Sequence, residues 1–295
     1  MTSKTRITIL THKNDAPLLS SPAVVNYMAR AWDKRGFEVR VAQGIDHKLH
    51  ADLLFLNIDL TVLPVDYLEF IQSYPLVINR RATDISKHLI SDNLLKPDSD
   101  YHGPVIVKTK ANFGGIPELK NEAGGKPIKA PIRINLRTTS ILDPKHYPIY
   151  DSIEKVHPAA WMNDHLIVEK FIAERDESGR YCLRKWHFLG NTGFCTIQAG
   201  ENPIVKGLPD AETLQPRDLP QLLEEPVPEK LIQLRSKLGF DYGRFDYVVV
   251  DGDAHIFDVN KTPTVGPVSF KQFTTKFTET LPSGIDYYLQ MGSNR

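Results

Sequence analysis

The stretch from Arg244 to Asn260 constrains the fold more than any other part of the chain. Two alternating runs, residues 244–250 and 254–260, flank Asp251-Gly252-Asp253, and turn residues set between alternating strands specify a β-hairpin. With a three-residue loop, Val250 pairs with Ala254, Asp246 faces Asp258 and Arg244 faces Asn260. Arg244, Asp246, Val248 and Val250 then share a face with Ala254, Ile256, Asp258 and Asn260. Phe245, Tyr247, Val249, His255, Phe257 and Val259 form the other, core-like face. A two-residue Asp-Gly turn would instead send the two aspartates to opposite faces. Carboxylates directly opposed repel by up to about 1 kcal/mol, so the facing register calls for a cation between them. Hard oxygen ligands with an amide oxygen one rung away suit Mg²⁺, which is commonly shared with phosphate oxygens. Arg244 beside them is placed to hold a phosphoryl group. Solubilising edge-strand charges, with Arg244 pairing an aspartate, explain the same spacing.

Upstream, the first 80 residues alternate strand and helix. Residues 7–10, 39–42 and 52–58 are strand-like, and Leu53 to Leu56 is continuously apolar, as in a strand covered on both faces. Between the first two, Val24, Val25, Met28 and Trp32 recur at helical spacing. Ser21 suits the cap, Pro22 the first helical position and Gly36 the stop. A βαβ unit of this kind builds a parallel sheet. The pattern changes after Arg80-Arg81. Asp84 can cap a helix carrying Ile85, Leu89 and Ile90, and residues 105–108 and 166–171 read as strands. Residues 118–160 show weak periodicity, and the Pro-rich 203–228 reads as loop. Leu231, Leu234 and Leu238 mark one face of a helix ended by Gly239. At 295 residues the chain exceeds the roughly 100–200 that one core usually serves.

Gly243-Arg244-Phe245-Asp246-Tyr247, then Asp251-Gly252, then Phe257-Asp258-Val259-Asn260-Lys261-Thr262-Pro263 resembles the metal-site hairpin of the ATP-grasp superfamily. Its members include D-alanine–D-alanine ligase, glutathione synthetase and the enzymes that add glutamate to a ribosomal protein. The resemblance implies an α/β (α+β) ATP-grasp fold. A Rossmann-like α/β domain over 1–82 would precede a small subdomain over 83–172 and a C-terminal metal- and ATP-binding subdomain over 173–295. It implies Asp246, Asp258 and Asn260 as ligands to Mg²⁺, or Mn²⁺ in its place, and Arg244 as a phosphate contact. Val105-Ile106-Val107-Lys108 followed by Asn112-Phe113-Gly114-Gly115 is similar to the family's strand lysine and glycine-rich loop. The lysine is a point charge for phosphate oxygens, and glycines such as Gly114 and Gly115 let backbone N–H groups approach them. Lys87 stands where the family often has a first nucleotide-contacting lysine. Residues 166–172 resemble the hinge strand against which adenine packs, which assigns Glu169, Lys170 and Ile172 to the base. Glu174, Asp176 and Glu177 are alternative ribose carboxylates, and Arg184 is a further phosphate contact. The chain departs from the family in two places. Asp258 stands where peptide-type ligases usually have glutamate and related inositol phosphate kinases have aspartate. Thr264 follows Pro263 where many ligases have glycine.

The activity implied by the resemblance is an ATP- and Mg²⁺-dependent ligase. ATP would phosphorylate a small-molecule or peptide carboxylate, and an amine or related nucleophile would displace phosphate from the acyl phosphate. Lys108 and Arg244 would offset the charge of the transferred group without a covalent enzyme nucleophile. A kinase acting on a hydroxyl of a polyanionic small molecule is the second reading, with Lys126, Lys129, Arg133, Arg137 and Lys145 available to the polyanion. A non-catalytic ATP-binding module is the third. Other classes are disfavoured by composition. Lys+Arg and Asp+Glu both number 36, leaving no basic excess for nucleic acid. No apolar run nears the roughly 20 residues of a membrane span. The opening Met1-Thr2-Ser3-Lys4-Thr5-Arg6 leads into a strand rather than a signal-peptide apolar region, so a soluble, cytoplasmic protein is expected. Cys182 and Cys195 lack framework or metal spacing. His47 and His50 read as solvated loop residues, and no Gly-x-Ser-x-Gly elbow is present. Phe270, Phe273 and Phe277 read as a packing stripe, and a homodimer is compatible with the sequence.

Overall fold

The computed structural model describes residues 4–18, 21–126, 128, 135–208 and 212–293. Strands β1 (Arg6–Thr11), β2 (Glu38–Gln43), β3 (Leu53–Leu56) and β4 (Val77–Ile78), with helices α1 (Val24–Lys34) and α2 (Val65–Ile71), open the chain. The strands form a parallel sheet in the order β2-β1-β3-β4. The unbroken apolar run of β3 follows from this position. Leu53 and Phe55 pack with Met28 and Trp32 of α1, whereas Leu54 and Leu56 pack with Tyr67 and Ile71 of α2. Both faces are covered, so period-2 alternation is absent.

Helix α1 begins two residues later than its cap signals indicate, with Ala23 at the N-cap. Ser21 Oγ accepts the Ala23 N–H (3.0 Å), and the Val24 N–H donates to Pro263 O (2.9 Å). A tertiary contact with the loop after the C-terminal hairpin thus takes up one of the helix's orphan donors. Gly36, at φ +91°, lets the chain leave the helix.

Helix α3 (Lys87–Ile90), β5 (Val105–Thr109), α4 (Ile116–Glu122), β6 (Ile149–Tyr150), α5 (Pro158–Trp161) and β7 (Leu166–Lys170) follow. Their strands make an antiparallel sheet, β6-β5-β7. Asp84 does not cap α3 directly. Its Oδ1 accepts from the N–H (2.8 Å) and Oγ (2.6 Å) of Ser86, which is the N-cap of the single turn.

The last sheet contains β8 (Tyr181–Leu189), β9 (Thr192–Gly200), β10 (Gln221–Leu223), β11 (Tyr242–Val250) and β12 (Asp253–Asn260), with α6 (Glu229–Leu238) between β10 and β11. It is antiparallel, in the order β10-β9-β8-β11-β12. The hairpin turn has two residues, not three. Val250 pairs with Asp253, and Asp251 and Gly252 both have positive φ (53° and 84°), as a type I′ turn demands. The aspartates still face each other, because a bulge at Phe257 inserts one residue between the Tyr247–Ile256 and Asp246–Asp258 rungs. The bulge also corrects the face assignment. Ala254 and Ile256 join Phe245 and Tyr247 in the core, while His255 pairs with Val248 and Phe257 turns to the cleft beside Asp258.

Helices α7 (Pro267–Gln272), α8 (Leu281–Ser283) and α9 (Ile285–Ser293) return to the first sheet. Phe273, Phe277, Leu281 and Ile285 share one core with Trp32 and Phe55, and Phe270 packs against it, so the phenylalanine stripe is packing. Asn79 joins the first sheet to β11. Its N–H donates to Asp241 Oδ2 (2.6 Å), its Nδ2 donates to Tyr242 O (2.9 Å), and its Oδ1 accepts the N–H groups of Asp241 (2.9 Å) and Tyr242 (3.0 Å). It does so at φ +63°, a region asparagine tolerates better than most residues. Asn79→Ala removes three of these bonds and is expected to destabilise by about 3 kcal/mol, at roughly 1 kcal/mol each. A lowered urea midpoint at unchanged m checks this. No helix among the described residues is long and apolar enough to cross a membrane. Cys182 and Cys195 are free and buried.

Candidate active site

The face of β11 and β12 opposite their core side carries Arg244, Asp246, Asp258 and Asn260, and strand alternation puts them there together. A cleft between this face and the three-stranded sheet is bordered by Lys87, Lys108, Lys170, Ile172, Asp246 and Asp258. Six of the residues expected from the sequence therefore meet in one place. Ile106, Phe171, Leu183 and Val205 form apolar walls of the same cleft.

Each carboxylate of the hairpin already has cationic company. Arg244 holds Asp246 in a two-pronged contact, Nε to Oδ1 at 2.6 Å and Nη2 to Oδ2 at 2.9 Å. Lys87 Nζ lies 3.4 Å from Asp258 Oδ1 and donates to Ala111 O (2.9 Å), and Lys206 Nζ lies 3.9 Å from Asp258 Oδ2. Burial pushes the Asp258 carboxyl up, but Lys87, Lys206, Lys108 and Arg244 together outweigh it and hold the group below the usual carboxylate range. Burial lowers the Lys206 ammonium, against the pull of Asp258 and Asp246.

Lys108 Nζ contacts Glu169 Oε2 at 2.5 Å, and both side chains are buried. Glu169, expected at the adenine, thus holds the strand lysine. Ile106, its partner on β5, shares a face with Lys108. Its second oxygen, Oε1, is buried without a hydrogen-bond partner. The glycine loop is a 3-10 turn, Asn112–Gly115, with Phe113, Gly114 and Gly115 at φ 44°, 70° and 76°. A Cβ on Gly114 would stand 2.0 Å from Leu142 O, and one on Gly115 2.4 Å from Ser140 O. Both glycines are needed for the loop to lie against residues 140–142. Asn112 pins the loop across the cleft, donating from Nδ2 to Asn260 Oδ1 (2.9 Å) and from its N–H to Thr61 Oγ1 (2.7 Å).

Glu174 and Arg184 are not brought to this cleft. They pair with each other (2.7 Å), Glu174 Oε2 accepts the Val249 N–H (2.8 Å), and Arg184 reaches Glu225 (2.6 Å). Arg184 alternates along β8 with Leu183 and Lys185 and so projects to the side of Trp186 and Phe188, which are core. The β8 cation on the cleft side is Lys185, opposite Asp246. Of the other ribose candidates, Asp176 accepts from Ser178 (2.7 Å) and Arg180 (2.9 Å) in a turn, and Glu177 is exposed. Lys126, Arg137 and Lys145 are exposed, and Lys129 and Arg133 lie outside the described residues. Sequence reasoning missed Lys206, Lys185 and Asn112. Lys206 sits in an aperiodic Pro-rich stretch with no signal, whereas Lys185 is legible once the register of β8 is known.

A second cleft of about 490 Å³ adjoins the first and shares Leu183, Val205, Lys206 and Asp246 with it. Lys185, Gln198, Arg244 and Asn260 border its near end. The hairpin suits a hard divalent cation. Its donors are oxygens only, two carboxylates on facing rungs with an amide beside them, and Asp258 Oδ1 is buried and accepts no hydrogen bond, with the Lys87 ammonium 3.4 Å away. Among the described residues no three His, Cys, Asp or Glu side chains cluster to hold a metal by themselves.

No family model and no curated protein sequence matches the chain, whereas solved structures do. It is similar to the RimK domain ATP-grasp protein of Sphaerobacter thermophilus (12% identity over 97% of this chain and 100% of that one, TM-score 0.51). It is similar to the D-alanine–D-alanine ligase of Bacillus anthracis complexed with ATP (14% identity, 99% of each chain, TM-score 0.52). It is also similar to a RiPP-associated ATP-grasp ligase of Chryseobacterium gregarium in complex with ADP and a leader and core peptide (11% identity, 97% of each chain, TM-score 0.55).

Proposed function

From the ATP-grasp fold that this chain has, we propose that it is an ATP-dependent ligase. It activates the carboxylate of a small molecule or peptide as an acyl phosphate and passes it to an amine or related nucleophile, with release of ADP and phosphate. The observation that carries this reading is the meeting of two clefts at Asp246 and Lys206. A nucleotide in the first and an acid in the second would present the γ-phosphate and the carboxylate to each other at that junction, and positioning of this kind is the main catalytic need.

The residues divide accordingly. Ile172, Lys170 and the apolar walls take the base. Lys87, Lys108 and Lys206 neutralise the triphosphate, and the Gly114-Gly115 loop covers it. Arg244, in a position fixed by Asp246, offsets the charge of the transferred phosphoryl group. Asp246, Asp258 and Asn260 would hold Mg²⁺ or Mn²⁺, which when bound offsets phosphate charge. Residues 1–82, 83–172 and 173–295 are the corresponding units, in an enzyme we place in the cytoplasm.

The test is incubation with ATP, Mg²⁺ and pooled carboxylates, then pooled amines, following ADP, phosphate and new mass. The expected result is ADP and phosphate with acid, and a joined product once the amine is added. ADP with a phosphorylated hydroxyl acceptor would make the protein a kinase, and ATP binding without turnover would make it a binding module. Either outcome overturns the ligase.

A further inference from the structure

The two ends of the second cleft differ in chemistry. Its near end is cationic. Arg244 is engaged with Asp246, but Lys185 donates only to Gln198 Oε1 (3.3 Å) and forms no ion pair among the described residues. Lys185 is half-buried opposite Asp246, whose carboxylate Arg244 already holds through both oxygens, so its ammonium is open to a further anion. That anion need not be the triphosphate, since Lys87, Lys108, Lys170 and Lys206 border the first cleft and Lys185 does not.

The far end is apolar, walled by Val265, Pro267, Phe273 and Phe277. Between the ends lies His187, stacked on Phe194 (5.0 Å between ring centres) and edge-on to Phe277 (5.3 Å). Burial holds its pKa well below the usual range, so the ring is neutral and adds no charge. A short polar acid would leave these walls wet, whereas an acid with an apolar body would dry them. A cavity of about 490 Å³ is within the usual range for a small-molecule site.

We infer that the carboxylate substrate is an acid with a bulky aromatic or branched aliphatic body, its carboxylate held by Lys185 beside Arg244 and its body against Val265, Phe273 and Phe277. This rests on the ligase reading, because only that reading makes the second cleft a carboxylate site. Phenylacetate, isovalerate, acetate and succinate are titrated into the full chain with ADP and Mg²⁺, followed by ligand-observed NMR. Binding of a fluorescent ATP analogue is measured separately. Phenylacetate and isovalerate are expected to bind at least about tenfold more tightly than acetate or succinate, and 2-phenylethanol should not displace phenylacetate. Lys185→Met should weaken phenylacetate at least about tenfold with the melting temperature held, and Lys185→Arg should recover part of the loss. Equal binding of all four acids, a preference for succinate, or wild-type phenylacetate affinity in Lys185→Met overturns the inference. The acid series on the unaltered chain decides the matter even if the variant folds poorly. Analogue binding without a preference for apolar acids sinks this inference alone, whereas failure to bind the analogue sinks the ligase reading itself.

Discussion

Asp258→Asn is expected to lower ATP turnover by about 10²–10³-fold, the usual effect of removing one electrostatic group from a reacting centre. The change keeps the shape of the side chain and removes its charge. Asp258 is 5% exposed and Lys87 is 2% exposed, so the variant leaves Lys87, with Lys206 behind it, facing a neutral amide. Breaking a buried pair from one side costs about 3–5 kcal/mol, and a lower melting temperature is expected alongside the kinetic loss. Affinity for ATP separates the two effects. With one anion fewer among Lys87, Lys108, Lys206 and Arg244, binding of metal-free ATP should hold or tighten while turnover collapses. Wild-type turnover, or affinity and turnover falling together, would remove Asp258 from the proposed site. The sign of the pH effect follows from the same pairing. A carboxyl held below its unfolded pKa contributes stability that is present above that unfolded value and is lost as pH falls through the folded one. The asparagine variant should therefore lose less stability than wild type on acidification below about pH 4.

Much of this site is legible from local signals, and the exceptions have identifiable causes. The opposed aspartates are readable because alternation and turn residues confine the hairpin to a few registers. The turn itself was open between two and three residues, and only the bulge at Phe257, which has no sequence signature of its own, reconciles the shorter turn with facing carboxylates. Arg184 and Lys185 are adjacent cations, and which one enters the cleft depends on a strand phase that Trp186 and Phe188 set by being core. Glu169 has a legible strand position, but its ion pair with Lys108 requires knowing that β5 and β7 are neighbours. Lys206 reaches Asp258 from a stretch without periodicity, where no pattern rule applies. The parallel first sheet was readable throughout, since β3 and the α1 stripe carry strong apolar signals. The start of α1 was not, because its first N–H is satisfied by Pro263, 239 residues away in the chain.

Gly114→Val should weaken nucleotide binding at least about tenfold while leaving most of the fold in place. At φ +70° a side chain costs about 1–2 kcal/mol, and a β-branched one is worse placed than most. The steric term adds to this. The new Cβ would stand 2.0 Å from Leu142 O, a backbone atom that cannot rotate away, and the same residue's N–H donates to Gly114 O (3.0 Å). Overpacking of this kind costs about 1–3 kcal/mol, and the loop can relieve it only by lifting from residues 140–142. Lifting breaks the Asn112–Asn260 and Asn112–Thr61 bonds, so the strain is released as local opening rather than global unfolding. ATP affinity is expected to fall at least about tenfold, since about 1.4 kcal/mol suffices, and residues 110–116 should become the first site of limited proteolysis. Gly124→Ala is the matched control. It has φ +67° with nothing within 4 Å of the new Cβ, so it carries the backbone cost without the collision and should bind ATP normally. If Gly114→Val also binds ATP normally, the loop does not close over the nucleotide, and the cover proposed for the first cleft must come from another segment.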